Sequence, residues 1–474
     1  MLKKSYDAVI FGGRLQGLLI AALLKEKNAE LLILNDEDCS NHTVDKYKLD
    51  LQMMPLGGIP DSPHVTDILS SVGIRLDNRE LFCPISPLLQ IIDENHRLDI
   101  HGERNSLFEE LRREFGNNAG KISEHIWNGE TIREQTINGI ISAGNIFYSK
   151  NSSSKSIKRN KEVSSMSEDL YGDYCGRPEQ AFEIFEDIIS LLRDFIIPFR
   201  PFHNRDLFLP LKLNSRTKYY PIGGMTGFKR FCLEKLKDNG ADIHNLSSMP
   251  GLTFKRKNVT EINIEGGIKT KTLVYNSEPQ TLSSLLPEKF FTRSYREQLK
   301  KIKTWGRWRS IFIAVDKDKI PVGMNDDIIV DKRPERSFMI QITPESDRDA
   351  VRDGMRLLKI SSPVANNGFA GDNDFEDFSS FERSVIAGLN ELIPFLDHKF
   401  EIIYRFDSNP MSSDDCIFSG QLKKPLNLGT IYPFTPYKNL FVGGKELMLL
   451  FNMEGDFISS KIIADHLLNA ILKQ

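Results

Sequence analysis

The first 38 residues constrain the fold most, because apolar runs and turn signals follow one another at close spacing. Residues 8–11 form an apolar run, residues 12–17 read Gly-Gly-Arg-Leu-Gln-Gly, residues 18–24 are all apolar, and residues 31–34 form another apolar run before an acidic turn. Continuous apolar runs are typical of strands that are covered on both faces of a parallel sheet. The pattern therefore predicts a strand, a glycine turn, a helix and a second strand, which together form a βαβ unit.

The glycine turn has the spacing of a dinucleotide-binding unit, G-x-G-x-x-G, with one substitution. Gly12 and Gly17 occupy the first and third positions, whereas Arg14 stands at the second, where the backbone approaches a pyrophosphate. Arginine is large, although its charge has the right sign for phosphate. The residue that holds the adenosine ribose should end the second strand, where Asn35 stands with Asp36 next to it. We predict a Rossmann-type unit in which either of these two side chains contacts a ribose.

Composition is ordinary for a globular protein and indicates neither nucleic-acid binding, nor a metal site, nor a membrane-spanning helix. The 474 residues are enough for two or three domains, and a net charge of −3 gives no indication of nucleic-acid binding. The five cysteines form no CxxC pair and the histidines do not cluster, so we predict no metal site. Polar residues interrupt the apolar N-terminus, and no run of about 18 apolar residues follows. We expect a cytoplasmic protein, and the sequence does not indicate its oligomeric state.

Two later stretches also combine glycine loops with helices. Residues 219–225 read Tyr-Tyr-Pro-Ile-Gly-Gly-Met before a predicted helix, and Gly240 stands where that helix should end. Residues 259–274 predict a hairpin that turns at residues 265–267. Near the end of the chain, the strand-like residues 440–442 precede Gly443 and Gly444, and a final helix is predicted from about Gly455.

Between these glycine stretches the sequence predicts further elements and one aromatic stretch. Strands are predicted over 305–315, 337–343, 356–361 and 400–406, and a helix over 375–393. The proline-broken, aromatic stretch Phe182–Leu211 is typical of an apolar pocket wall or a surface that contacts a membrane peripherally, and also of ordinary core packing. Residues 150–167 are rich in Ser and Lys and predict a mobile surface loop, or a contact patch for a lipid headgroup or partner.

Four blocks in this order resemble the phytoene desaturase-like branch of the amine-oxidase and GDP-dissociation-inhibitor superfamily of FAD-binding proteins. The blocks are Asp7–Leu18, Tyr220–Met225, Leu273–Asn276 with Leu285–Pro287, and Asn439–Gly444 with Glu454–Gly455 and Ser459–Asp465. Their order is more specific than any one glycine motif. The resemblance implies an α/β fold: a discontinuous Rossmann-like FAD/NAD(P)-binding domain of residues 1–80, 215–290 and 430–474, plus a mixed-sheet and helical substrate domain of residues 81–214 and 291–429.

The resemblance also implies where a cofactor would lie. In that family FAD extends across the first domain, the opening and closing glycines meet its pyrophosphate, and the last helix points its positive N-terminus at the flavin. By position, the residues that would line FAD here are Gly12, Gly13, Arg14, Gly17, Asn35, Asp36, Gly223, Gly224, Gly443, Gly444 and Gly455.

The sequence departs from the family pattern at several positions around this one ligand. Besides Arg14 and Asn35, residues 39–43 replace the glycine-rich loop after the second strand, and residues 445–451 replace the glycines and proline of the closing segment. Asp456 is predicted to cap the last helix, where its carboxylate would repel a reduced, anionic flavin.

Two functions therefore remain open, with a third alternative. The first is an FAD-dependent oxidoreductase that acts on an apolar, isoprenoid-like substrate by hydride transfer to flavin, for which the sequence indicates no catalytic acid or base. The second is a non-catalytic, cofactor-poor member of the fold, a pseudoenzyme by the logic of Rab GDP-dissociation inhibitors, which binds a lipid or protein partner through Phe182–Leu211. The third is an enzyme that uses NAD(P).

Overall fold

A computed structural model provides the structure of the chain. It describes residues 2–36, 42–52, 58–124, 126, 195, 199–200, 217–246, 248–277, 282, 285–287, 295–296, 303–332, 337–348, 350, 354–365, 378–393, 396, 400–407, 417–419, 433–444, 447 and 452–472. The predicted loop at residues 150–167 and most of the aromatic stretch Phe182–Leu211 lie outside these residues, so both interpretations stay predictions.

The described elements are numbered in chain order. The strands are β1 (Ser5–Phe11), β2 (Leu31–Asn35), β3 (His42–Val44), β4 (Tyr47–Leu49), β5 (Ile59–Pro60), β6 (Phe82–Ile85), β7 (Leu89–Ile92), β8 (Arg97–Ile100), β9 (Phe199–Arg200), β10 (Lys218–Pro221), β11 (Asp242–Asn245), β12 (Leu252–Lys255), β13 (Asn258–Ile262), β14 (Ile268–Tyr275), β15 (Lys303–Asp316), β16 (Asp327–Val330), β17 (Phe338–Ile342), β18 (Met355–Ala365), β19 (Phe400–Asp407), β20 (Ile417–Ser419) and β21 (Leu440–Val442). The α-helices are α1 (Leu15–Lys25), α2 (Pro63–Ser71), α3 (Arg104–Phe115), α4 (Gly224–Asp238), α5 (Phe378–Leu392) and α6 (Asn452–Leu472).

The first sheet contains the predicted βαβ unit. Its seven strands run in the order β11-β2-β1-β14-β13-β12, with β21 beside β14. Strands β11, β2, β1, β14 and β21 are parallel, which places their carboxyl ends at one edge of the sheet. The apolar side chains of β1 and β2 are buried, as the continuous apolar runs predict. The edge formed by the ends of β1, β14 and β21 carries the opening glycine turn, Asn276 and the closing glycines.

A second, nine-stranded sheet has the order β8-β7-β16-β17-β18-β15-β20-β9, with β19 also paired to β15. The strands predicted from apolar patterns at β15, β17, β18 and β19 are confirmed, whereas the four-residue strand β16 was not predicted. Helix α5 packs Phe381, Val385 and Leu389 into a core with residues of this sheet, such as Ile340. The division of the chain into domains stays a prediction.

A small, three-stranded antiparallel sheet contains the strand that begins the middle glycine stretch. Strand β10, which leads into Gly223, pairs with both β5 and β6. Among the described helices, none is both long and apolar enough to cross a membrane.

Asn439 joins three strands beside the closing segment. Its Oδ1 accepts a hydrogen bond from the Val259 N–H at 2.8 Å, and its Nδ2 donates to the carbonyls of Val259 at 2.8 Å and Lys271 at 3.0 Å. We expect Asn439→Ala to lower the free energy of unfolding by about 2–4 kcal/mol, because three buried backbone groups lose their partner. Urea unfolding measures this. Asn469→Ala, at an exposed position of α6, is the control and should change stability by less than about 0.5 kcal/mol; equal losses would contradict the role of Asn439.

Candidate functional site

Three glycines of the motifs pack against one residue, Asn276. A methyl group on Gly12 would lie 2.1 Å from the Asn276 backbone carbonyl oxygen, one on Gly17 would lie 2.3 Å from its Nδ2, and one on Gly443 would lie 2.6 Å from its Oδ1. Real Cβ atoms do not make contacts this short, so packing against Asn276 is a reason, independent of any ligand, why these positions lack side chains. We call Gly12–Gly17, Asn276 and Gly443–Gly444 the glycine edge.

Asn276 is completely buried in the glycine edge. Its backbone N–H donates to the Phe11 carbonyl at 2.7 Å, and its Nδ2 donates to the Arg14 carbonyl at 3.2 Å. Its Oδ1 has no hydrogen-bond partner among the described residues. A buried acceptor oxygen at this position suits a donor such as a water or hydroxyl, and it repels a phosphate, which only accepts.

Gln16 connects the opening turn with the closing segment. Its Oε1 accepts from the Gly444 N–H, and its Nε2 donates to the hydroxyl of Ser459 on α6. The Ser460 hydroxyl donates to the Gln16 backbone carbonyl at 3.2 Å. Because Gln16 is only 2% exposed, these bonds hold α1, the closing glycines and α6 together inside the protein.

Of the two candidates for a ribose contact, Asp36 reaches the glycine turn. Its Oδ1 accepts from the Gly13 N–H at 2.9 Å. Asn35 instead points toward the neighbouring strand, where its Nδ2 donates to Asn245 Oδ1 at 3.1 Å. Arg14, at the second glycine position, is buried with 5% of its surface exposed.

The predicted helix cap at Asp456 is wrong. Helix α6 begins at Asn452, so Asp456 lies inside the helix, and its carbonyl accepts from the Ser460 hydroxyl at 2.6 Å. The earlier start places Glu454 in the first turn, where a carboxylate interacts favourably with the helix dipole. Gly455 therefore lies within the helix rather than before it. Glu454 and Asp456 are 1% and 6% exposed, so buried carboxylates stand near this helix end.

These residues do not fit a pyrophosphate at the glycine edge. A bound pyrophosphate needs free N–H donors and room beside the turn. The Gly13 and Gly444 N–H groups already donate to Asp36 and Gln16. The additional carboxylates at the start of α6 would repel phosphate charge.

The middle glycine loop is capped in the same way, by acidic side chains from distant parts of the chain. The Gly223 N–H donates to Asp347 Oδ2 at 2.7 Å, and the Met225 N–H donates to Asp50 Oδ2 at 2.7 Å. Tyr220 donates from its hydroxyl to the same Asp347 oxygen at 3.1 Å. Both carboxylates thus lie at the positive N-terminus of α4, where the helix dipole stabilises them.

A pocket of about 710 Å³, counted out to its open mouth, lies between this loop and the second sheet. We call it the junction pocket. Its charged lining residues are Lys48, Asp50, Asp326, Asp327, Asp347 and Lys359. Asp327 accepts from Gln341 Nε2 at 3.0 Å, across the β16–β17 pair.

The lining of the junction pocket contains more carboxylates than ammonium groups. Burial, followed by the charges of Asp347 and Asp50, raises the pKa of Tyr220 well above its usual range. Lys359 Nζ donates to the carbonyls of Asp50 at 3.1 Å and Gln52 at 2.7 Å. The lining has four carboxylates and two ammonium groups, and one of the carboxylates, Asp326, is bonded to Arg356.

The structure thus brings the predicted residues to two separate places. Those of the opening and closing motifs meet at the glycine edge, and Gly223 lines the junction pocket. Sequence reasoning missed Asp50, Asp327 and Asp347, which lie far apart in the chain and show no motif spacing. Among the described residues, no group of three or more His, Cys, Asp or Glu side chains could hold a metal ion.

Several solved structures are similar in fold over nearly the whole chain. An oxidoreductase from Methanosarcina mazei is 13% identical, with a TM-score of 0.63 over 97% of this chain and 99% of that one. Putrescine oxidase in complex with putrescine is 12% identical, with a TM-score of 0.60 over 98% and 99%. A Rab GDI from Plasmodium falciparum is 13% identical, with a TM-score of 0.50 over 93% of each chain.

The chain has a Rossmann-type α/β fold. This confirms the predicted fold class, and the fold is one that oxidoreductases and a Rab GDI share. No protein-family model and no curated protein matches the sequence. The similarity at these identities concerns the fold and leaves cofactor and substrate to be argued from the residues.

Gly224 provides a test of the acidic cap on α4. Its φ is +70°, and a methyl group would lie 2.0 Å from Asp50 Oδ2. We expect Gly224→Ala to lower the free energy of unfolding by about 2–4 kcal/mol, because left-handed strain adds to the loss of the Asp50 bonds. Gly266→Ala is matched in φ, at +91°, but meets nothing within 4 Å, and should lose only about 1–2 kcal/mol in urea unfolding. Similar losses of unfolding free energy in Gly224→Ala and Gly266→Ala would argue against the contact between Asp50 and α4.

The raised pKa of Tyr220 predicts a pH dependence of stability. The unfolded side chain loses its proton near pH 10, whereas the folded one keeps it, so the free energy of unfolding falls as pH rises past 10. We expect the stability advantage of wild type over Tyr220→Phe to shrink by about 0.8 kcal/mol between about pH 8.5 and about pH 10.5. Urea titrations at both pH values measure it, and a constant difference would mean that Tyr220 titrates normally.

Proposed function

We propose that this chain binds a small, polar, positively charged ligand in the junction pocket, as a binding or accessory protein. The observation that carries the proposal is the excess of carboxylates around the pocket. The wall of the pocket combines these carboxylates with the side chains of Tyr220 and Phe312. An ammonium group that enters a partly buried, negative site exchanges water for charge-assisted hydrogen bonds.

Asp327 is the carboxylate that we assign to the ligand. It is 5% exposed and lies at the start of β16, with Gln341 held against one oxygen. Asp50 and Asp347 accept hydrogen bonds from the N-terminal amides of α4. Asp326 bonds to Arg356 at 3.0 Å, which neutralises part of its charge.

Putrescine, which is bound in the solved putrescine oxidase of similar fold, is a suitable probe for this ligand class. Putrescine is a diamine with a short apolar centre. A pocket with carboxylates, Tyr220 and Phe312 in its wall offers both charge and apolar surface to such a molecule. An apolar, isoprenoid-like ligand would leave these carboxylates desolvated without a partner, which is unfavourable.

Calorimetric titration with putrescine tests the proposal. We expect saturable binding to the wild type and none with 1,4-butanediol, which has the same carbon chain without charges. Asp327→Asn should weaken putrescine binding about 10–100-fold, because a charge-assisted hydrogen bond is lost while the shape is kept.

The control variant is Asp465→Asn, which also removes one negative charge but lies exposed on α6, paired with Lys461. It should bind putrescine within about twofold of the wild type. Binding that Asp327→Asn and Asp465→Asn reduce equally would indicate only long-range charge, and no binding by the wild type would reject the proposal.

A second candidate is an FAD-dependent oxidoreductase that acts on an apolar substrate by hydride transfer to flavin. The position of Asp36 directly after β2 favours it, because an acidic residue at the end of the second strand is the group that binds an adenosine ribose. Stoichiometric flavin in the purified protein, with visible absorption that a substrate bleaches under anaerobic conditions, would establish this candidate.

A further inference from the structure

We infer that this chain's own side chains fill the glycine edge and bond to its amides, and that the edge does not receive the pyrophosphate of a dinucleotide. The inference goes beyond the proposed function, because it concerns the glycine edge and not the junction pocket. It rests on donors, space and charge at the glycine edge.

The donors are the first argument. In a dinucleotide site, backbone N–H groups of the glycine turn and the following helix point at phosphate oxygens. Here the Gly13 N–H is taken by Asp36, the Gly444 N–H by Gln16, and the Gly443 N–H by the Tyr275 carbonyl at 2.8 Å. A phosphate that used these three N–H groups would have to break their bonds in a buried place and separate the groups that they join.

Space is the second argument. The second glycine of the motif keeps the turn free of side chains where the pyrophosphate lies. Arg14 occupies that position and is buried, and Gln16, two residues on, is buried with both ends of its amide bonded. The glycines that remain are explained by Asn276, which fills the space beside them.

Charge is the third argument. The oxygens at this edge include the carboxylate of Asp36 and the Oδ1 of Asn276, which has no hydrogen-bond partner among the described residues. Each is an acceptor, and a pyrophosphate carries only acceptors. The negative charge of Asp36 beside the turn also repels a phosphate.

The experiment starts with the wild-type protein. We expect no flavin absorption after purification and no saturable uptake when the protein is dialysed against excess FAD. Stoichiometric FAD, either copurified or taken up, would overturn the inference. Putrescine titration of the same protein separates this result from the proposed function, because the junction pocket does not include Arg14 or Gln16.

A double variant, Arg14→Gly with Gln16→Ala, then removes the two side chains that fill the glycine edge. We expect it to bind FAD at least about tenfold more tightly than the wild type, with thermal unfolding used to confirm that it is folded. Arg75→Gly, an exposed arginine outside the edge, should gain nothing. A folded double variant without any gain would overturn the assignment of Arg14 and Gln16 as the closing residues.

Amide hydrogen exchange in the wild type gives a second readout that needs no variant. We expect slow exchange at Gly13 and Gly444 without any ligand, because both N–H groups are buried and bonded to side chains. Added FAD should leave both rates unchanged. Rapid exchange that becomes slow only with FAD would mean that a ligand, and not this chain, satisfies these groups, and would overturn the inference.

Discussion

The contact between Asn276 and three glycines is the constraint on which the glycine edge depends. Asn276 follows β14 directly, so its position is set by the parallel sheet. Gly12, Gly17 and Gly443 approach it more closely than any residue with a Cβ could. Because they come from both ends of the chain, their packing joins the opening βαβ unit to the closing strand. Glycine spacing at this edge is therefore a packing requirement of this sequence, whatever else it serves.

The chain satisfies the positive ends of its helices and the amides of its glycine loops with its own oxygens. Asp36 does so at the opening turn, and Asp50 and Asp347 do so at α4. Each of these carboxylates comes from another segment, so capping also holds distant segments together. This use of charge has two consequences: the turns become poor receptors for phosphate, and the carboxylates at α4 add negative charge to the lining of the junction pocket.

Local patterns predicted the elements and not the sites. The apolar periods and turn glycines gave β1, α1, β2 and the hairpin of β13 and β14, because those signals lie within a few residues of one another. The contact of Asp347 with Gly223 spans 124 residues, and nothing near either residue signals it. The wrong cap at Asp456 has a local cause, since an acidic residue after Gly455 is a cap pattern but Asn452–Glu454 already continue the helix. The short strand β16 was missed because four residues carry little periodicity.

A glycine motif can thus persist after its usual ligand is no longer accommodated. If the glycines existed only to admit a pyrophosphate, Arg14 and Gln16 at the same turn would leave them without a physical reason. Packing against Asn276 supplies that reason independently of any ligand. What separates the two uses of the motif is the acceptor that each turn amide meets, a phosphate oxygen in one case and a side chain of the protein in the other. Here the Gly13 N–H donates to Asp36 and the Gly444 N–H donates to Gln16, which favours an internal packing contact over a cofactor site.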